Sequence, residues 1–300
     1  MVLGPTLFLI YINDLGDNIN AKVRLFADDT VLYKAIRNKI VDPKTLQDYL
    51  EKLEQWEEKR QMKFNVDKCH LLVVSTKKTP HHTSYKLHGK DLERVSKAKY
   101  LGVELNEKLT WDDHIESVTK KANRTSAFIH RNLKGCPPKV KAHCYKGLVR
   151  PLMEYASPIW DPSLKTNQDE LEYVQRRSAR RIFNDFQPTS SVTEMLQKLE
   201  LPTLKERRKI DKVCMIFKIK NGLIDISSEE HLPTPPRPNR RYPNNIFVSR
   251  SKTSTYLNSF FPSGIRLWNS LPPQAHSALT LPAFKSALEQ WASTLWFSLI

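Results

Sequence analysis

Residues Val23 to Tyr33 hold two short runs of strand-forming residues, Val23, Leu25, Phe26 and then Val31, Leu32, Tyr33, with Ala27-Asp28-Asp29-Thr30 between them. A stretch this short, apolar on both sides and acidic in the middle, predicts a β-hairpin with Asp28 and Asp29 at its tip. Adjacent carboxylates repel each other unless a cation lies beside them. Oxygen donors on a rigid turn are what magnesium or manganese accepts. Asp-Asp-Thr is also ordinary turn chemistry, since Asp bonds its own backbone and tolerates unusual backbone angles. The residues alone leave both readings open.

Around this hairpin the pattern changes along the chain. Leu7 to Leu15 is strongly apolar and predicts a largely buried helix ending near Gly16. Asp42-Pro43 opens an amphipathic helix through Leu46, Leu50, Leu53 and Trp56. Met62 to Val66 and His70 to Ser75 read as strand pieces around the turn Asp67-Lys68-Cys69, and Tyr85 to Leu87 and Tyr100 to Leu105 as further sheet. Beyond Thr110, the expected cap of the next helix, the spacing is helical. Two helices are broken at Gly135-Cys136-Pro137-Pro138, one runs from Asp169 to Phe183, two flank Leu201-Pro202-Thr203, and a last one spans Ala283 to Trp296. Residues 223–255 hold Pro233, Pro235, Pro236, Pro238 and Pro243 with Arg237, Arg240 and Arg241, the composition of an extended basic linker. The fold class is therefore α+β, with divisions at 1–108, 109–222, 223–255 and 256–300.

Of 48 Lys and Arg against 32 Asp and Glu, residues 1–116 hold 19 and 18, which leaves 29 and 14 for the remainder. Nearly all of the net charge of +16 thus lies in the helical part. From Ser117 to Met153 there are nine Lys or Arg and no acid, and Arg176, Arg177, Arg180 and Arg181 follow within six residues. A solvated helix face usually intersperses acids with its bases; their absence points to phosphate contact by Lys120, Lys121, Arg124 and Arg131 and by the four later arginines. Arg near a helix C-terminus also complements the helix dipole. No run of about eighteen apolar residues is present, so no membrane span is expected. The N-terminal residues lack the basic leader and small-residue cleavage site of a secretory signal. The four cysteines form no C-x-x-C pair, which fits reduced thiols in the nucleus or cytoplasm rather than secretion.

Three stretches read together carry a resemblance: Leu3-Gly4-Pro5-Thr6-Leu7-Phe8-Leu9-Ile10-Tyr11-Ile12-Asn13-Asp14-Leu15, then Phe26-Ala27-Asp28-Asp29, then Asn65-Val66-Asp67-Lys68-Cys69 followed by Tyr100-Leu101-Gly102-Val103. In this order and spacing they resemble the reverse transcriptase of non-LTR retrotransposons of the jockey, CR1 or LINE-like type. Leu109-Thr110-Trp111 with His114-Ile115 continues the resemblance towards that family's thumb, and Asn258 to Pro262 with Trp268 to Pro272 is similar to its C-terminal region.

The resemblance implies a polymerase palm followed by a basic helical thumb and a helical extension, and an RNA-directed DNA polymerase activity that uses magnesium or manganese. It implies that Asp28 and Asp29 are metal ligands, that Lys68 acts on the triphosphate or pyrophosphate, and that Tyr100, Leu101 and Gly102 grip the primer end. The expected partners are an RNA template and a DNA primer or an RNA–DNA duplex, with no membrane. The family's first catalytic Asp and its fingers precede the motif that Leu3-Gly4-Pro5 ends. Asp28 and Asp29 are then half of a two-metal centre, these 300 residues are not expected to polymerise alone, and the missing segment would come from another chain. Asp14 and Asp17 are expected in capping or structural roles instead. The alternative is a non-enzymatic protein that binds nucleic acid through its basic helices.

Overall fold

The computed structural model describes residues 3–16, 22–77, 83–236 and 244–296, with side chains through Gln290. The chain divides into two compact units, Met1–Leu109 and Thr110–Ile300. Asp17, Pro238, Pro243, Arg237, Arg240 and Arg241 lie outside the described residues.

The first unit contains helices α1 (Leu3–Ile12) and α2 (Val41–Arg60) and eight short strands, β1 (Lys22–Phe26), β2 (Asp29–Tyr33), β3 (His70–Leu72), β4 (Lys86–Leu87), β5 (Lys90–Asp91), β6 (Glu93–Val95), β7 (Lys97–Tyr100) and β8 (Val103–Asn106). The strands pair two by two. β1–β2, β4–β5 and β7–β8 are antiparallel hairpins, while β3 and β6 pair in parallel, a pairing that local sequence pattern does not announce. His88-Gly89 and Leu101-Gly102 turn two of the hairpins with positive φ at both positions, the type I′ geometry that matches strand twist.

α2 organises this unit. Leu50 and Leu53 pack with Leu15, Tyr85 and Leu87, and Leu25 and Leu32 of the first hairpin lean on the same cluster. The Gln47 side chain donates to Lys86 O at 3.0 Å and accepts from Lys86 N at 2.9 Å, so it pairs with β4 as a neighbouring strand would. Buried Glu57 accepts from Phe64 N at 2.8 Å and meets His88 Nε2 at 2.7 Å, which satisfies a carboxylate that would otherwise be costly inside.

Three expectations change here. α1 is not a buried helix: Leu3, Leu7, Leu9 and Ile10 are exposed, and burial is confined to Ile12 and to Leu15 just beyond the helix. Its apolar residues run all round the cylinder, so no single face selects a packing partner. Met62 to Val66 is not a strand; it is irregular and leads into a 3-10 turn over Val66–Lys68 capped by Asn65. Thr110 is not the cap of the next helix, because Trp111 holds that position.

The second unit is helical: α3 (Asp112–Asn132), α4 (Pro138–Cys144), α5 (Arg150–Glu154), α6 (Ser157–Trp160), α7 (Lys165–Phe183), α8 (Val192–Lys198), α9 (Leu204–Lys220), α10 (Ser228–His231), α11 (Ser254–Asn258), α12 (Phe260–Asn269), α13 (Pro273–His276) and α14 (Leu281–Trp296), with a π turn over Tyr145–Val149. Thr203 and Glu206 form a capping box that starts α9, each satisfying the other's backbone N–H. The apolar side of α9 packs against α12 and α14, where the Phe217 and Phe284 rings stack at 4.6 Å and Trp268 lies 5.7 Å from Phe284. Leu232 and Ile246, from the proline-rich stretch, enter this core as well. Asn269 holds Ile246 in place by accepting its N–H at 2.9 Å and donating to its carbonyl at 2.8 Å.

On another side of α9, fully buried Arg208 donates from Nε to Asp161 Oδ1 at 2.9 Å, and Lys212, 3% exposed, donates to Asp161 Oδ2 at 2.7 Å and to Ser263 Oγ at 3.0 Å. One carboxylate thereby serves two buried cations and ties α6, α9 and α12 together. Asp161→Asn keeps the shape but strands both cations, and should lower unfolding stability by about 3 kcal/mol. Urea denaturation followed by circular dichroism measures the loss; a change below about 0.5 kcal/mol, typical of a surface site, contradicts this account of the knot.

Candidate metal and nucleic-acid sites

The β1–β2 register sets Phe26 opposite Asp29, so Ala27 and Asp28 alone make the turn. Ala27 has φ +50° and Asp28 lies outside the left-handed region, the sign pattern of a type II′ turn, whose first position favours glycine. An L-residue there carries strain of about 1 kcal/mol. The alternation of the strands turns Leu25 and Leu32 towards the core and leaves Phe26, Asp28 and Asp29 exposed. Neither carboxylate has a hydrogen bond or ion pair among the described residues.

In donor type the pair suits a hard divalent cation, since both groups are exposed carboxylates on a short turn. In number it is incomplete: among the described residues no group of three or more His, Cys, Asp or Glu gathers to hold a metal. Asp14 does not supply the third carboxylate. Its Oδ1 accepts from Trp56 Nε1 at 2.9 Å and its Oδ2 pairs with Arg60, and these bonds hold it below the ordinary carboxylate range while joining the end of α1 to α2.

Lys68 sits exposed at the end of the 3-10 turn and makes no ion pair among the described residues, whereas neighbouring Asp67 is paired with Lys90. Leu101 and Gly102 form the β7–β8 turn with φ values of +45° and +83°, and Tyr100 opposes Val103 just below it. Gly102 enters left-handed space without penalty, whereas Leu101 carries the strain of an L-residue there.

In the second unit α3 and α7 lie side by side and run in the same direction. Asn167 donates to Asp112 at 2.8 Å, Thr119 to Glu170 at 2.6 Å, and Ser126 meets Ser178 at 2.8 Å, in step along both helices. The two C-terminal ends therefore come together and bring Arg131 near Arg181, which Arg177 also neighbours. Arg181 is pushed below the usual guanidinium pKa first by burial and then by the charges of Arg177 and Arg131, so these cations crowd one another. Lys121, Arg124, Arg131, Arg176 and Arg177 are exposed, and Phe128 and Tyr173 stand out of the same two helices. Lys120 is exposed but paired with Glu116.

Not every cation of the basic run is free. Arg180 donates to the carbonyls of Gln187 at 2.9 Å and Ser190 at 3.4 Å, Arg181 reaches Asn123 O at 3.4 Å, and Lys141 is buried with its ammonium on Lys134 O at 3.2 Å. Phe128 and Tyr173 are the residues that charge counting missed. Their signal was positional, since each lies three or four residues from an exposed arginine on the same helix face.

Residues 1–105 match the family described as reverse transcriptase (RNA-dependent DNA polymerase). The chain is 27% identical to the RNA-directed DNA polymerase from mobile element jockey of Drosophila melanogaster, over 60% of this chain and 21% of the relative. It is 29% identical to the probable RNA-directed DNA polymerase from transposon BS and 24% identical to that from transposon X-element of the same organism, with the same coverage. The likeness at 60% of the chain outruns the 105 residues of the family match and so reaches into the helical unit. The chain spans about a fifth of the length of the curated relatives it matches. No solved structure matches it. Reverse transcriptases as a family use divalent metal and bind an RNA template and a DNA primer. Among the described residues no helix is long and apolar enough to cross a membrane.

The strained tip offers a direct check. Ala27→Gly should raise stability by about 0.5–1 kcal/mol, because glycine reaches φ near +50° without the Cβ clash. Equilibrium unfolding reads the change, and a loss of stability of the same size contradicts the turn geometry.

Proposed function

We propose that this chain contributes the metal-binding hairpin, the primer-gripping hairpin and the nucleic-acid-binding helices of a retrotransposon RNA-directed DNA polymerase. The observation that carries the reading is the pair of exposed carboxylates, without partners among the described residues, at the tip of a strained two-residue turn, inside a stretch that matches the reverse transcriptase family. Asp28 and Asp29 would hold magnesium or manganese through their carboxylate oxygens. A divalent ion bound there supplies charge neutralisation at the oxygens that develop negative charge in nucleotidyl transfer.

Lys68 offers a mobile ammonium that can orient a triphosphate or hand a proton to the leaving pyrophosphate. The Tyr100-Leu101-Gly102 turn presents backbone close to a primer end, because Gly102 has no side chain to keep the strand away. Lys121, Arg124, Arg131, Arg176 and Arg177 place positive charge where backbone phosphates of a template–primer duplex can neutralise it, with Lys120 at the edge of the same face. Phe128 and Tyr173 add flat apolar surface beside those charges, the combination that holds unpaired bases. Arg180 and Arg181 act mainly by shaping this face. A narrower reading, nucleic-acid binding without turnover, draws on the same helical face and separates from the first by experiment.

Titration with Mn2+ should broaden the amide resonances of Ala27 to Thr30, and Asp28→Ala should abolish the effect; broadening that survives the substitution overturns the metal assignment. Primer extension on an RNA template with magnesium, by a polymerase assembled with this chain, should fall by about a hundredfold or more in Asp28→Ala, as loss of a transition-state contact does. If Asp28→Ala leaves that extension unchanged while duplex binding persists, the narrower reading stands. Arg176→Ala with Arg177→Ala should weaken RNA–DNA duplex binding about tenfold and reduce the salt slope by about two. An unchanged slope removes these arginines from the interface.

A further inference from the structure

The second unit contains a cavity of about 300 Å3 that neither the hairpin chemistry nor the α3–α7 face uses. Lys205, Lys209 and Lys212 from α9 and Arg266 from α12 line it, with Asp161 as the one carboxylate on its wall and Gln168 and Ser263 as neutral polar groups. Asp161 is already shared between Arg208 and Lys212. Glu172, the next carboxylate, does not line the cavity; it accepts the backbone N–H of Lys205 at 2.8 Å and interacts with Arg208, while burial raises its pKa. The cavity wall itself thus carries four cationic side chains against one carboxylate.

A pair of lysines four residues apart on a helix is ordinarily a solvated face, and Lys205 and Lys209 are both exposed. Two further observations set this place apart. Arg266 converges on the cavity from a different helix, and Lys212 borders it while almost wholly buried, with two of its three ammonium protons spent on Asp161 and Ser263. Behind Asp161, Nη1 and Nη2 of fully buried Arg208 have no hydrogen-bond partner among the described residues. Burying that much positive charge around one carboxylate is costly unless an anion answers it.

We propose that this cavity is a binding site for a phosphate dianion, of the kind carried by free pyrophosphate or by the 5′-terminal phosphate of a nucleic-acid strand. Lys205, Lys209 and Arg266 supply the rim charges, and Lys212 supplies the inner donor, through the proton left after Asp161 and Ser263. The site stands independently of the Asp28–Asp29 hairpin and of the α3–α7 face.

Isothermal titration of the full chain with pyrophosphate at low salt tests it. Binding should weaken about tenfold or more in Lys205→Ala with Lys209→Ala, since each lost contact is a charge-assisted one. Both side chains are exposed, so the thermal unfolding of this variant should match the wild type and exclude a folding defect. Arg176→Ala with Arg177→Ala should leave pyrophosphate binding intact. No binding, binding unaffected by the lysine substitutions, or equal loss in the arginine control overturns the proposal. A 5′-phosphorylated oligonucleotide that outbinds its 5′-hydroxyl twin, with the preference lost in the lysine variant, identifies the strand end as the source; equal binding of the twins with pyrophosphate affinity retained identifies the free anion. Either result supports the site.

Discussion

The helical unit depends on a single carboxylate. Asp161 follows the short helix α6, and its two oxygens receive Arg208 and Lys212 from successive turns of α9, while Lys212 also reaches Ser263 on α12. Such a cluster gains little over a well-packed apolar alternative, but it has strict geometry: removing one member leaves a buried charge without an answer. It therefore sets the rotation of α9. With Arg208 and Lys212 turned to Asp161, Val213, Ile216 and Phe217 must face α12 and α14, and Arg207 is carried round to pair with Glu154 on α5.

The first unit uses a different economy. Its strands are two to five residues long and pair only in twos, so sheet hydrogen bonding alone would not hold them. They are held instead by α2, whose apolar face collects Tyr85, Leu87, Leu25 and Leu32, and whose polar groups at Gln47 and Glu57 bond the backbone of β4 and of Phe64. A hairpin anchored at its base in this way can carry strain at its tip. Ala27 sits where glycine would be easier, and the two carboxylates beside it point into solvent rather than into any compensating contact. Strain held at a polar tip is how a scaffold keeps reactive groups in place before a ligand arrives.

The basic helices show why charge counts translate unevenly into surface. The nine cations of residues 117–153 and the four arginines of α7 look equivalent as composition, yet Lys141 is buried, Arg180 braces the loop after α7, and Arg181 is wedged between helices. Arg176 and Arg177 remain outside because they fall on the side of α7 that α3 does not cover. A helix turns about 100° per residue, so neighbours four apart share a face and neighbours in a cluster do not. The parallel packing of α3 and α7 then decides which charges meet, bringing Arg131 to Arg181 from 50 positions away.

Local chemistry wrote much of this molecule legibly into its residues. The acidic hairpin, the break at Pro137-Pro138, the α+β division and the excess of charge in the helical part all follow from short-range rules, in which a residue's neighbours in sequence are also its neighbours in space. Tertiary packing alone decided the remainder. It left the uniformly apolar α1 exposed along most of its length, paired β3 with β6 across more than twenty residues, drew Leu232 and Ile246 out of a proline-rich stretch into the core, and gathered Lys205, Lys209, Lys212 and Arg266 around one cavity. Periodicity reports that a side chain prefers to be covered, but which surface covers it depends on shapes that exist only once the other elements have packed.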